Sequence, residues 1–168
     1  MDFKIHITKQ GAFFDGTAPD VINAALGGAM YEATQLLEAE VKKNTPRGVF
    51  GAQGGLLSTI HGEVVGKGTP VIKGIVGTQS KYGEVVEKGR TPGAKMPPAG
   101  ALIQWMELKL GMDAETARKK EFVIRRKIGK KGFKGARMFE QAFDNNFEKL
   151  TEIFDRKGFL MARALDGK

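Results

Sequence analysis

The sequence predicts an α+β fold, in which a long N-terminal helix and three later helices pack on a small, mainly antiparallel sheet. Three observations lead to this prediction. Apolar residues recur at three- and four-residue steps from Val21 to Val41, two segments rich in Ile, Val and Thr flank a short glycine connection, and helical spacing returns after Pro98. With 168 residues and 41% hydrophobic residues, the chain is long enough to bury a core.

The long helix is the clearest element in the N-terminal half. Its apolar residues keep to one face, and Pro46 ends it. Gly27 and Gly28 lie within the predicted helix, and each costs about 1 kcal/mol of helix propensity relative to alanine. The pair therefore predicts close packing against a sheet or a neighbouring helix. Before the helix, apolar and polar residues alternate from Phe3 to Ile7, which predicts a short strand.

Two further segments predict a β-hairpin. Residues 57–65 and 69–78 are rich in Ile, Val and Thr, and the residues between them include Gly66 and Gly68. A short connection containing glycine is typical of two paired antiparallel strands.

The stretch from Lys81 to Trp105 follows the hairpin. Tyr82, Val85 and Val86 have the spacing of one helical turn, and the glycine at position 89 ends that turn. A second helix is predicted over residues 99–110, because two prolines precede it and proline suits the first helical position. This helix carries the single tryptophan of the chain, which its spacing places in the core.

The C-terminal part predicts two more helices. Asp113 is the expected N-cap of a third helix that reaches Gly129. The last helix is predicted from an apolar stripe assigned to the core, namely Phe139, Phe143, Phe147, Leu150 and Phe154. Residues 1–157 are predicted to form one domain, and residues 158–168 a loosely held tail.

Charge is distributed very unevenly along the chain. Residues 118–137 contain ten Lys or Arg and one acid, a net charge of +9, so the other 148 residues sum to −1 in a chain of net charge +8. The candidate contact residues within this basic segment are Arg125, Arg126, Lys127, Lys130, Lys131 and Lys134. They indicate either an acidic protein partner or a solvated face, or else phosphate contacts with nucleic acid. An acidic protein partner or a solvated face is favoured over nucleic acid, because no aromatic platform accompanies the charges.

The residue inventory argues against enzymatic chemistry. The chain has no cysteine, two histidines (His6 and His61) and two serines (Ser58 and Ser80), and their spacing predicts neither a catalytic triad nor a metal site. The glycine-rich segment 129–135 lacks the Walker pattern. We therefore expect no enzymatic activity, no metal and no cofactor. No run of about 18 apolar residues occurs, so no membrane partner is expected either.

Eight residues of the central stretch carry a resemblance to a known family. They are Tyr82, Val86, Glu87, Gly89, Pro92, Pro97, Pro98 and Trp105. With the segments 44–48, 60–78 and 126–139, they make most of the chain resemble the neck or tail-completion (minor tail component) family of long-tailed bacteriophages. Their motifs are structural in type. From its position beside Arg90, Glu87 is interpreted as half of an ion pair that holds the turn.

The resemblance implies a structural subunit of the bacteriophage head-tail joint, or head-tail connector. It implies a homo-oligomer, usually a hexameric ring, with DNA passing through its middle. The expected neighbours are the head-closure and tail-terminator proteins, with non-specific contact to packaged DNA as a further expectation. The protein would be synthesised in the host cytoplasm and reside in the neck or tail of the virion. The alternative, from the charge alone, is a small basic nucleic-acid-binding protein.

Overall fold

A computed structural model of the chain describes residues 11–47, 55–69 and 71–166. These residues form a mixed helix and sheet structure with a long N-terminal helix, as predicted. The helices are α1 (Ala12–Asp15), α2 (Ala18–Asn44), α3 (Gly83–Lys88), α4 (Ile103–Leu110), α5 (Ala114–Lys131), α6 (Met138–Asp144) and α7 (Phe147–Leu165). The strands are β1 (Ile60–Val65), β2 (Lys73–Thr78), β3 (Gly89–Arg90) and β4 (Phe133–Lys134). The predicted strand at residues 3–7 lies outside the described residues.

The helix count corrects the predicted number, since the described residues contain seven helices rather than four. One reason is that the predicted last helix is two helices, α6 and α7. Asn146 lies between them with non-helical angles, φ −120° and ψ 11°. Asparagine is a poor residue for a helix interior, because its side chain competes for backbone hydrogen bonds, and here it follows another asparagine.

Internal contacts divide the chain into two compact units. The first unit comprises Met1–Leu37, Gly62–Val76 and Asn145–Lys168, and the second comprises Glu38–His61 and Gly77–Asp144. The predicted domain boundary at residue 157 stays a prediction, although α7 continues through it as a helix to Leu165.

In the first unit, α2 packs closely on β2 and is joined to α7 by ion pairs. A Cβ atom at Gly74 would lie 2.3 Å from Thr34 Oγ1, so only glycine allows this approach of strand and helix. Glu32 on α2 pairs with Arg156 and, at 3.7 Å, with Lys157 on α7. The hydrogen bond from Arg156 lowers the pKa of Glu32.

The core of the second unit contains the largest fully buried side chains of the described residues. These are Ile60, Met106, Met138 and Val41. At the end of α2, the Thr45 hydroxyl lies 2.6 Å from the Val41 carbonyl and 3.2 Å from Met138 Sδ. The hairpin strands β1 and β2 pair as predicted, and the hydroxyl of Thr59, directly before β1, shares a 2.7 Å hydrogen bond with the Thr78 hydroxyl at the end of β2.

A candidate assembly surface

Aromatic side chains lie at the surface of the described chain. Of the nine phenylalanines in the described residues, eight are exposed and Phe139 is half-buried. The buried hydrophobic residues in that part of the chain are instead alanines, methionines and branched aliphatic side chains. The predicted aromatic core stripe is therefore wrong for Phe143, Phe147 and Phe154, whereas Leu150 is buried as expected. Helical spacing identifies one face of a helix, and it does not identify what covers that face.

A groove of about 700 Å³ opens in the second unit. It is lined by Tyr82, Val85, Val86, Arg90, Pro97, Pro98, Ala101, Leu102, Trp105, Ile124, Ile128 and Phe133. Arg90 is the one charged residue in this set. Trp105 is 39% exposed and Tyr82 is 68% exposed. The core prediction for Trp105 is therefore wrong, because the indole forms part of an open groove wall.

The groove collects most of the residues that carry the family resemblance. Tyr82, Val86, Pro97, Pro98 and Trp105 all line it. Residues that are dispersed over 24 positions of the sequence thus form one apolar surface. Sequence reasoning missed Ile124 and Ile128 as part of this wall. Their four-residue spacing inside the basic helix was the available signal.

The other three residues of that set have structural positions outside the groove. The Glu87 carboxylate accepts hydrogen bonds from the backbone N–H groups of Phe139 at 3.1 Å and Glu140 at 3.2 Å. Glu87 therefore caps the start of α6. The predicted ion pair between Glu87 and Arg90 is not among the ion pairs of the described residues. Gly89 begins β3 with φ +77°, and Pro92 is exposed in the turn that follows.

The loop that forms one side of the groove is tied to α5 by two side chains. Arg125 Nε donates to the Pro97 carbonyl at 2.7 Å, and Glu121 Oε1 accepts from the Leu102 N–H at 3.3 Å. Glu121 is buried, and Arg125 Nη1 lies 4.0 Å from its Oε2. The side chain of Arg125 thus supports the loop in the folded chain, and its contact with a partner stays a prediction.

Glycines allow the same loop to approach the end of α5. The Gly129 carbonyl accepts from the Gly93 N–H at 2.9 Å, and a Cβ atom at Gly129 would lie 2.7 Å from Met96 Cγ. A Cβ atom at Gly132 would lie 2.0 Å from the Arg90 carbonyl oxygen. The glycine-rich segment after α5 thus serves close backbone packing, which includes the pairing of β3 with β4.

The remaining members of the predicted basic segment are exposed. They are Arg126, Lys127, Lys130 and Lys131 on α5 and Lys134 on β4. Their side chains leave a concentrated positive surface that is available to an acidic protein or to phosphates.

Other classes of site receive no support from the described residues. No group of three or more His, Asp or Glu side chains in that part of the chain is arranged to hold a metal ion. Among the same residues, no helix combines the length and apolar character that a membrane span requires. Comparison with protein-family models, curated proteins and solved structures found no match to this chain.

Proposed function

We propose that this chain is a structural subunit of the bacteriophage head-tail joint, a neck or tail-completion protein that assembles as a ring around the DNA channel. The ring is a homo-oligomer of about six copies, as is usual for the family that the sequence resembles. It lies between the head-closure and tail-terminator proteins of the virion and acts without catalytic chemistry or a cofactor.

The exposure of the aromatic side chains carries this proposal. Aromatic residues supply much of the energy of protein interfaces, because each buries a large apolar area at small conformational cost. A monomer that leaves eight of nine described phenylalanines exposed, with Trp105 and Tyr82, presents many large apolar side chains to solvent, as interaction surfaces do. Assembly into a larger structure would cover it.

The groove in the second unit supports the same proposal. It is apolar, it is open, and five of its twelve lining residues belong to the set on which the family resemblance depends. A groove of this kind is suited to side chains from another protein subunit.

The proposal is tested first by the mass of the purified protein. Analytical ultracentrifugation is expected to show a closed oligomer, and negative-stain images are expected to show rings with a central opening. A variant with Phe147→Ser and Phe159→Ser should remain folded by circular dichroism and sediment as a monomer. A second test places an epitope tag on the chain in phage particles, where a label on the capsid face or tail tip would contradict the proposal.

The second candidate function is binding of nucleic acid by the basic surface. It is favoured by the exposure of Arg126, Lys127, Lys130, Lys131 and Lys134. Its test is the salt dependence of binding to labelled duplex DNA, since each phosphate contact contributes a slope of about −0.9 to log K against log salt. Replacing the first four residues by glutamine should remove that slope. If the variant still forms rings while the wild type binds DNA, the basic surface has this second function.

A further inference from the structure

The apolar groove has a basic edge. Ile124 on α5 lines the groove. Lys120 lies four residues before it on the same helix, and Lys127 and Lys131 lie three and seven residues after it. Residues at these intervals share one side of a helix. The three lysines are exposed, so α5 carries a row of lysines next to the row of Ile124 and Ile128 that lines the groove. An occupant that is both apolar and acidic would complement this surface.

The exposed side of α7 has that chemistry. Glu148, Glu152 and Asp155 follow each other at intervals of four and three residues and are all exposed, which places them on one side of the helix. Two exposed aromatic side chains flank them, Phe147 at 58% and Phe159 at 64%.

These carboxylates are available, whereas three of the four basic residues of the same helix are engaged and the fourth, Arg163, is exposed near the end of the helix. Arg156 and Lys157 pair with Glu32 on α2, and Lys149 Nζ donates to Asn146 Oδ1 at 3.3 Å. The ion pairs of the described residues do not include the three acids of α7. The exposed side of α7 is therefore more acidic than its composition suggests.

The two charged rows share one spacing. Lys120 and Lys127 are seven residues apart, as are Glu148 and Asp155, and a helix rises about 1.5 Å per residue, so each of these pairs spans about 10 Å. Lys131 extends the basic row by four further residues. Apolar side chains accompany each row, isoleucines beside the lysines and phenylalanines beside the acids. The two surfaces are complementary in charge and in apolar character, and these two pairs match in spacing.

From these observations we propose that the groove of one copy receives the exposed side of α7 from a second copy of the same chain. The contact joins two different surfaces, so each copy offers a groove to one neighbour and a helix to the next. Repetition of such a head-to-tail contact closes into a ring when its rotation allows. The inference rests on the proposed ring and names the two surfaces that would hold it together.

Charge reversal tests the contact. One variant carries Lys120→Glu, Lys127→Glu and Lys131→Glu, and the other carries Glu148→Lys, Glu152→Lys and Asp155→Lys. Each variant alone places like charges in the contact and should associate more than about a hundredfold more weakly than the wild type. An equimolar mixture should regain assembly, because the acidic helix of the first variant meets the native groove of the second, and the lysine-bearing helix of the second meets the reversed groove of the first.

Trp105 provides an independent measurement, because it is the only tryptophan in the chain and lines the groove. Its emission should shift to shorter wavelength when the wild type assembles and when the two variants are mixed, but not in either variant alone. Because the chain has no cysteine, a double variant with Ala101→Cys in the groove and Thr151→Cys on α7 gives a further check. A thiol crosslinker should link it into chains longer than dimers, which neither single-cysteine variant can form.

The outcomes separate this inference from the proposed function. If the wild type forms rings that neither reversal weakens, or if the mixture fails to reassemble, the groove and α7 are not in contact and the ring proposal stands. If the wild type stays monomeric at its highest soluble concentration, both the ring and this contact are wrong. Rescue by mixing, together with the emission shift at Trp105, supports the contact.

Discussion

Arg125 donates a hydrogen bond from Nε to the backbone carbonyl of Pro97 at 2.7 Å. The donor lies on α5 and the acceptor lies in the loop before α4, so one side chain fixes a wall of the groove to the basic helix. The neighbouring Arg126 points its charge into solvent. Two adjacent arginines of the same basic segment thus have different roles, one in folding and the other in surface charge.

We expect Arg125→Ala to lower the free energy of unfolding by about 1–3 kcal/mol, because it removes a charge-assisted hydrogen bond and the cation that pairs with the buried Glu121. Arg126→Ala is the matched control and should change stability by less than about 0.5 kcal/mol. Urea denaturation measures both values. Equal effects of the two substitutions would show that Arg125 does not hold the loop.

Trp105→Ala should cost less stability than the replacement of a buried aromatic residue. The indole is 39% exposed, and so we expect a loss of about 1–2 kcal/mol rather than the 3–5 kcal/mol that is typical of buried tryptophan. Met106 is the adjacent, fully buried residue, and Met106→Ala should cost about 2–5 kcal/mol. Denaturant unfolding of the two variants gives the comparison, and a larger loss for Trp105→Ala would contradict the exposed position of its side chain.

Local signals predicted α2, the hairpin and the Asp113 cap, since each of these depends on residues close in sequence. The groove could not be predicted in the same way. Its walls come from α3, α4, α5, β4 and the segment between α3 and α4, and only tertiary contacts bring them together. The core prediction for the phenylalanines failed for a related reason. Helical periodicity cannot distinguish a face that the same chain covers from a face that is left exposed. The break at Asn146 could have been predicted, because two consecutive asparagines have low helix propensity.

Asp113 should make the stability of α5 depend on pH in the acidic range. Its Oδ1 accepts the Thr116 N–H at 2.9 Å, and the hydrogen bonds from Thr116 lower the pKa of Asp113 below its ordinary value of 3.8. A carboxylate with a lowered pKa contributes stability that is full above the ordinary value and is lost as the pH falls through the folded-state value.

Asp113→Asn keeps a side-chain oxygen at the cap and does not titrate, so it is the appropriate comparison. At neutral pH the wild type should be more stable than this variant, since a carboxylate also interacts favourably with the positive end of the helix. The difference should shrink as the pH falls below 3.8. Thermal unfolding at a series of pH values measures it, and a difference that stays constant through the acidic range would contradict this assignment.

Gly28 gives the last prediction, because the described residues do not provide the packing expected of it. Among them, a Cβ atom at Gly27 or Gly28 would meet no atom within 4 Å outside the helix itself, and neither residue has a positive φ. Gly28→Ala should therefore raise the free energy of unfolding of the monomer by about 0.5–1 kcal/mol through helix propensity.

Gly132→Ala is the contrasting variant, since its Cβ would lie 2.0 Å from the Arg90 carbonyl oxygen at φ +62°, and it should be destabilising. Denaturant unfolding decides the sign of each change, and sedimentation of Gly28→Ala decides whether the close packing predicted for this glycine pair occurs in the assembly. A stabilised variant that no longer forms rings would place a neighbouring copy against α2 at this point, whereas a destabilised monomer would show that Gly28 is packed within its own chain.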